Sequence, residues 1–383
     1  MQSLMRRGIA LFSPSPSSDT DGGIGGTPGT TTPKFQTASE DALFTKVDPK
    51  VDGEDCDRDC DSCTIKYPSK FDVNMGDKLY GQVKGWSTHL LVATGKTDWV
   101  HDVADEKGSV MEAIEKGGLV PNNGRLKLSA SNMPVPDEYH HAEQGEQPTT
   151  VLILPAFTLV DHVTPPLASD LIKYFINASP TTTTPLIAPP IPHPEPSPEP
   201  APEQEAKEDP SPPTLGTPQI VDLSTLTPLR SRPCPHAAVI LLCSQKTRDA
   251  RCGQSAPLLR REFERHLRAL GLYRDMNDER PGGVGIYFIS HVGGHKYSAN
   301  VMIYRRRDFE WFRKEKGEGE GQEGGMRAEE GDVEGAAQGI WIARVRPEHC
   351  EGIVKYTVLQ GKVVHPGLQL RGGFDREKGL ISW

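Results

Sequence analysis

"AAVILLCSQKTRDARCGQSAPLLRREFERHLRALGLY", Ala237 to Tyr273, is the stretch that decides the fold class. It opens on an unbroken apolar run, the pattern of a strand covered on both faces. A polar turn follows, and then apolar residues at helical spacing, with Ser255 as the expected N-cap and Gly271 as the C-cap. Buried strand, polar turn and amphipathic helix together open an α/β unit. Working outward, "GVGIYFIS" (283–290), "SANVMIY" (298–304) and "GIWIARV" (339–345) read as further strands. "RPEHCEGIVKYTVLQG" (346–361) reads as a closing helix with Pro347 in its first turn.

A similar order runs through the first half. "HLLVATGK" (89–96) is a short buried strand, and "DEKGSVMEAIEKGG" (105–118) a helix ending at a Gly cap. "RLKLSAS" (125–131) and "TTVLILPAF" (149–157) are strands. Laying "LLVATGKTD" against "VILLCSQKTRD" matches Lys96-Thr97 to Lys246-Thr247 and sets Ala93 opposite Cys243. Duplication and chance likeness between two α/β units are both open readings of so short a match.

The 383 residues include 38 glycines and 34 prolines, nearly a fifth of the chain against a usual ~12%. The excess is local. Residues 1–50 are rich in Ser, Thr, Gly and Pro, and Pro180 to Pro218 holds 14 prolines among acids and hydroxyls. The expected organisation is therefore a presequence and disordered tail (1–50), an N-terminal α/β domain (56–178), a Pro-rich linker (179–234) and a C-terminal α/β domain (235–383). An acidic low-complexity insertion, 315–338, interrupts the second domain.

A net charge of −9 argues against nucleic acid, whose phosphates need Lys and Arg. No apolar run is long enough for a transmembrane helix. "MQSLMRRGIALFSPSPSS" is basic, Ser-rich and free of acids before Asp19, the composition of a mitochondrial presequence. Seven cysteines, clustered and odd in number, point to metal or redox use before a disulfide framework.

The chemistry gathers in the second half. Cys243 ends its strand, and Cys252 follows an eight-residue loop whose Arg248 and Arg251, with the helix N-terminus, favour thiolate. His291 ends the next strand, on the same sheet edge as Cys243, and Val-Gly-Gly turns the backbone toward His295. Two thiolates and two imidazoles suit zinc or an iron–sulfur cluster. A gap of eight is loose for one ion, so cluster, zinc and unmetallated core cysteines all remain open on spacing alone. A second group, Cys56, Cys60 and Cys63, lies among Asp55, Asp57, Asp59 and Asp61. Those anions suppress a thiolate nucleophile and favour a bound cation. A small zinc or redox-sensitive cluster, a disulfide and unmodified thiols are the readings for it, with a Cys60/Cys63 thiol oxidoreductase as the functional alternative.

"LLCSQKTRDARCGQSAP", "ISHVGGHKYSANVMIY" and "RVRPEHCEGIVKYTVLQGK" resemble the fungal sucrase/ferredoxin-like proteins, which carry a C-terminal thioredoxin-like ferredoxin domain. The resemblance implies two thioredoxin-like domains, mixed sheets with flanking helices. It also implies a 2Fe–2S cluster held by Cys243, Cys252, His291 and His295, zinc being the alternative metal. One-electron transfer or redox homeostasis with other redox proteins in mitochondria is the implied role. The "sucrase" label finds no pair of positioned carboxylates. "ATGKT" lacks the first glycine of a P-loop, and "GGVGIYF" places its glycines before a strand, so neither marks a nucleotide site. Cys350 reads as core, Cys234 as a redox-reactive thiol or an accidentally exposed one, and His140-His141 as surface.

Overall fold

A computed structural model of the chain describes residues 35–139, 146–186, 223–307 and 335–383. The expected presequence, His140-His141, the Pro-rich segment from 187 to 222 and most of the acidic insertion lie outside the described residues. The last four residues of the insertion are inside them, with Ala336 and Ala337 buried and Gln338 already in a strand.

Thirteen strands are described. They are β1 (Gln36–Thr37), β2 (Thr88–Ala93), β3 (Leu126–Ser131), β4 (Thr149–Leu154), β5 (Thr158–Val163), β6 (Arg230–Pro233) and β7 (Ala238–Cys243). The rest are β8 (Tyr273–Arg274), β9 (Val284–Ile289), β10 (Val301–Arg305), β11 (Gln338–Ile342), β12 (Leu370–Asp375) and β13 (Leu380–Ile381). They form one mixed sheet in the order β1-β13-β12-β11-β10-β7-β9-β3-β2-β4-β5-β6, with β8 attached to β9. The topology repeats. β2 pairs parallel with β3 and antiparallel with β4, which pairs antiparallel with β5. β7 does the same with β9, β10 and β11. The halves meet where β3 runs antiparallel to β9, with Ser131 opposite Ile289. Ala93 and Cys243 each end the leading strand of their half.

The first sheet face is covered by helices. These include α3 (Val110–Glu115), α4 (Ala168–Asp170, continued by a π turn, Leu171–Ile176) and α5 (Ala250–Ala269). The fourth is a closing helix, α6 (Cys350–Gly352), preceded by a 3-10 turn, Pro347–His349, and continued by a π turn, Ile353–Val358. Leu259, Phe263 and Leu267 of α5 fall at helical spacing and bury fully against Ile240, Leu242 and Ile286. Each such side chain contributes about 1.5–3 kcal/mol through the water it sheds.

The second face closes on itself. His89 of β2 meets Tyr304 of β10 at 3.0 Å (Nδ1 to OH), although β3, β9 and β7 lie between them in the sheet. Flat strands at ~4.8 Å spacing would hold those backbones ~19 Å apart, so the sheet must curl. The enclosed core takes Trp86, Leu91, Leu152 and Phe157 from the first half and Leu241, Tyr304, Trp341 and Phe374 from the second.

Three differences from the sequence reading follow. Residues 35–50, taken with the tail, lie in ordered elements: β1 pairs with β13, and Leu43 and Phe44 are buried. The two halves are joined in a single sheet inside one compact unit, Lys34–Trp383, and β6 pairs back onto β5. Composition registers chain stiffness, not which edges pair, so these joins leave no trace in it. Finally, α5 begins at Ala250, not after Ser255. Asp249 caps it by accepting from the Arg251 N–H, and Pro257, which reads like a first-turn residue, lies inside the helix.

Candidate metal centre

Cys243 is the last residue of β7 and Cys252 the third of α5, so strand end and helix start bring the two sulfurs to 3.5 Å. His291 follows β9, the parallel neighbour of β7, and its Nδ1 lies 3.9 Å from the Cys243 sulfur. The three ligand atoms all fall within 4.8 Å of one another. Both cysteines are buried and His291 is partly exposed. His295 opens a 3-10 turn, His295–Tyr297, directly after Gly293 and Gly294, both of positive φ.

The sulfur pair shares a proton unequally. Hydrogen bonding with Cys252, then with His291, holds the Cys243 thiol down to about 5 despite its burial. The same contact and burial push Cys252 up. The arginines expected to favour thiolate are engaged elsewhere. Arg251 pairs with the capping Asp249 and donates to the Asp72 carbonyl, while Arg248 reaches His101. Two other cations face the site from the enclosed core. Lys127 lies 5.0 Å from the centre of the Trp341 ring and Arg371 4.2 Å from it. Burial pushes Lys127 down to about 8 and Arg371 to about 10, and both are attracted to Cys243.

Arg371 also shapes the histidine loop. It donates to the Gly293 carbonyl and to Asn300, and a Cβ on Gly294 would sit 2.4 Å from its Nη2. Gly294 has φ of +68° as well, so only glycine fits there without strain.

Sequence reasoning missed Gln245. It is 1% exposed, and its Oε1 accepts the His291 N–H at 2.8 Å. Its Nε2 donates to the Val100 carbonyl at 2.5 Å, with Trp99 and His101 carbonyls at 3.4 Å. Nearby, Ser244 donates to the Thr97 carbonyl, and Thr247 donates twice to Asp98. The two loops that sequence aligns, 94–101 and 244–251, thus clasp each other beside the site. The alignment was the one signal that could have pointed to it.

The second expected group divides. Cys56 packs in an apolar cluster with Val47, Tyr356 and Val364, and burial raises its thiol. Cys60 gathers instead with His266 and Glu351. Cys63 is pushed up to about 12, by burial and then by Glu262. Cys234 and Cys350 are buried, and burial raises both thiols, Cys234 to about 11 and Cys350 well above its ordinary range.

The profile of the sucrase/ferredoxin-like family matches residues 79–372, which include all four expected ligands. The chain belongs to the sucrase/ferredoxin-like family. Among curated proteins it is 54% identical over 69 residues to actin patches distal protein 1 of Saccharomyces cerevisiae, 18% of this chain and 22% of that one. It is 32% identical over 144 residues to altered inheritance of mitochondria protein 32 of Meyerozyma guilliermondii, 38% of this chain and 35% of the relative. Against the same-named protein of Clavispora lusitaniae it is 29% identical over 129 residues, 34% and 33% of the two chains. The matches therefore span about a third or less of these family members. No solved structure gives a significant match. Among the described residues, no helix is long and apolar enough to cross a membrane.

Proposed function

We propose that the chain is a one-electron redox protein in which Cys243, Cys252, His291 and His295 hold a 2Fe–2S cluster. The observation that carries this reading is the convergence of Cys243, Cys252 and His291 at one sheet edge. The donor set fits such a group: two sulfurs sharing one iron stand roughly 3.8 Å apart, close to the 3.5 Å found. Family membership favours cluster over zinc. Each half then reads as a thioredoxin-like unit, the two having arisen by duplication, with ligands kept only in the second.

When bound, the cluster would supply a one-electron couple at a potential above that of all-cysteine ferredoxins, because two neutral imidazoles replace two thiolates. The protein's own groups set the conditions. Gln245 fixes the His291 backbone, and Arg371 fixes the Gly293–Gly294 turn. The apolar second core excludes water around Cys243. Lys127 and Arg371 place positive charge near Cys243, which would favour the reduced state of a cluster bound there. Other redox proteins are the proposed partners. A mitochondrial location is proposed on the printed names of the relatives and on the basic N-terminus. The alternative of a Cys60/Cys63 dithiol enzyme finds Cys63 held as thiol.

The test is the visible spectrum and metal content of anaerobically purified protein. Iron and acid-labile sulfide in equal amounts, with a coloured oxidised form, support the reading. A colourless protein with zinc bound at Cys243 and Cys252 sinks it. His295→Cys should keep a cluster and lower its potential, whereas an unchanged potential removes His295 from the ligand set.

A further inference from the structure

The first 35 residues after α2 (Pro49–Asp52), from 53 to 87, contain no helix or strand, yet they pack over α5 and the closing helix. Scattered single contacts hold that arm, among them backbone bonds from Asn74 and Gly81 to the Lys296 and Arg371 carbonyls and a bond from the Tyr67 hydroxyl to the Val345 carbonyl. Near its start stands Cys60-x2-Cys63, the spacing with which paired thiolates reach one tetrahedral ion. Cys60 is fixed by its own N–H, which donates to the Glu348 carbonyl at 2.9 Å, at the start of the closing helix. Its sulfur lies 3.9 Å from His266 Nε2, on the outer face of α5. Donors on a zinc ion, one sulfur and one nitrogen, stand roughly 3.6 Å apart. A Glu351 oxygen on α6 completes a trio, Cys60, His266 and Glu351, whose ligand atoms all lie within 4.8 Å of one another; the Cys63 sulfur, which contacts Glu262, lies outside that trio and joins the proposal on its spacing from Cys60.

We propose that Cys60, Cys63, His266 and Glu351 form a second metal site, a structural zinc site that pins the N-terminal arm to α5 and the closing helix. It stands independently of the proposed cluster. The surroundings match such a role. Arg265 donates to Cys60 Sγ at 3.5 Å while its Nη2 lies 2.7 Å from the buried Glu262, so a guanidinium already paired with a carboxylate stands beside the site. Without a cation, burial and Glu262 hold the Cys63 proton on; metal binding releases it. Cys60 and His266 are 206 positions apart, so a clip between them closes a very long loop, where a cross-link gains most.

The experiment uses the full chain carrying Cys243→Ser and Cys252→Ser, which removes the thiolates of the other centre. After incubation with zinc alone and desalting, one zinc per chain should remain, and the added changes Cys60→Ser and Cys63→Ser should abolish it. Cobalt(II) in place of zinc should give the visible bands of a tetrahedral thiolate site. Should the serine background fail to fold, the cobalt spectrum of otherwise unaltered protein is compared with those of His266→Ala and Glu351→Gln, residues at the helix surface. Loss of the bands in His266→Ala, with recovery in His266→Cys, supports the site. Zinc or cobalt binding indifferent to Cys60, Cys63 and His266 overturns it, as does a Cys60–Cys63 disulfide found by mass spectrometry in freshly purified protein. In the serine background an absent cluster leaves these readouts unchanged, and in otherwise unaltered protein only the bands that His266→Ala removes are assigned to this site, so the two proposals fail separately.

Discussion

Gln245 does for the site what no ligand does, because it joins the histidine loop to the other half of the molecule. Gln245→Ala would remove the acceptor of the His291 N–H and the donor to the Val100 carbonyl, at a cost of about 1–3 kcal/mol. Urea unfolding should report that loss, together with lower metal retention. A second residue-scale prediction concerns acid. Burial holds His236 down to about 4, whereas an unfolded histidine titrates near ~6.5. The folded state therefore binds fewer protons than the unfolded one between those values. Its contribution is complete above pH ~6.5 and is lost progressively as pH falls toward ~4, amounting to about 3 kcal/mol. His236→Gln should flatten that part of the stability–pH curve; a curve of unchanged slope would assign the acid sensitivity to other groups. At this scale the convergence of Cys243, Cys252 and His291 was legible and its support was not. Cys243, Cys252 and His291 sit at strand and helix ends that periodicity locates, but a glutamine in a polar loop looks like any surface residue until the partner loop is in place.

The start of α5 governs where Cys252 points. Asp249→Ala removes the cap and should cost about 1 kcal/mol, read in chemical denaturation, with a wider Cys243–Cys252 pairing as its local effect. An unchanged midpoint would mean that tertiary packing alone sets the first turn. The long apolar runs of β2, β4, β7 and β9, and the two main helices, could be read from sequence because burial on both faces leaves an unbroken apolar signature. β5, β6 and β12 could not. "TLVDHV", "RSRP" and "LRGGFD" mix charges and glycines into strands whose polar groups are satisfied by neighbours far along the chain, such as Asp161 with Arg232. The true start of α5 was hidden by Pro257, which in most helices marks the first turn.

At the scale of the whole molecule, the second core is made jointly. Trp86 contacts Trp341 and Trp383 edge-on or tilted, and His89 reaches Tyr304 across the curl. A fragment of residues 235–383 would keep β7 to β13 but expose that face and the free edge of β9. It should bind a hydrophobic dye and migrate as oligomers in size exclusion, whereas the chain from residue 35 should not. A monomeric, dye-negative fragment would show that the halves are independent after all. Sequence pattern supplied both halves and their shared order. The curl that fuses them comes from sheet twist accumulated over many strands, which no local window contains.

The clasp between the two loops has one more consequence. Gln245 takes hold of the first half only through main-chain carbonyls at 99–101, groups that every amino acid carries. What the metal centre requires of that loop is therefore its path and length, not the identity of Val100 or its neighbours. Through this contact, side-chain replacement at Val100 should pass unnoticed at the centre, while deletion of a single residue there should be felt by His291.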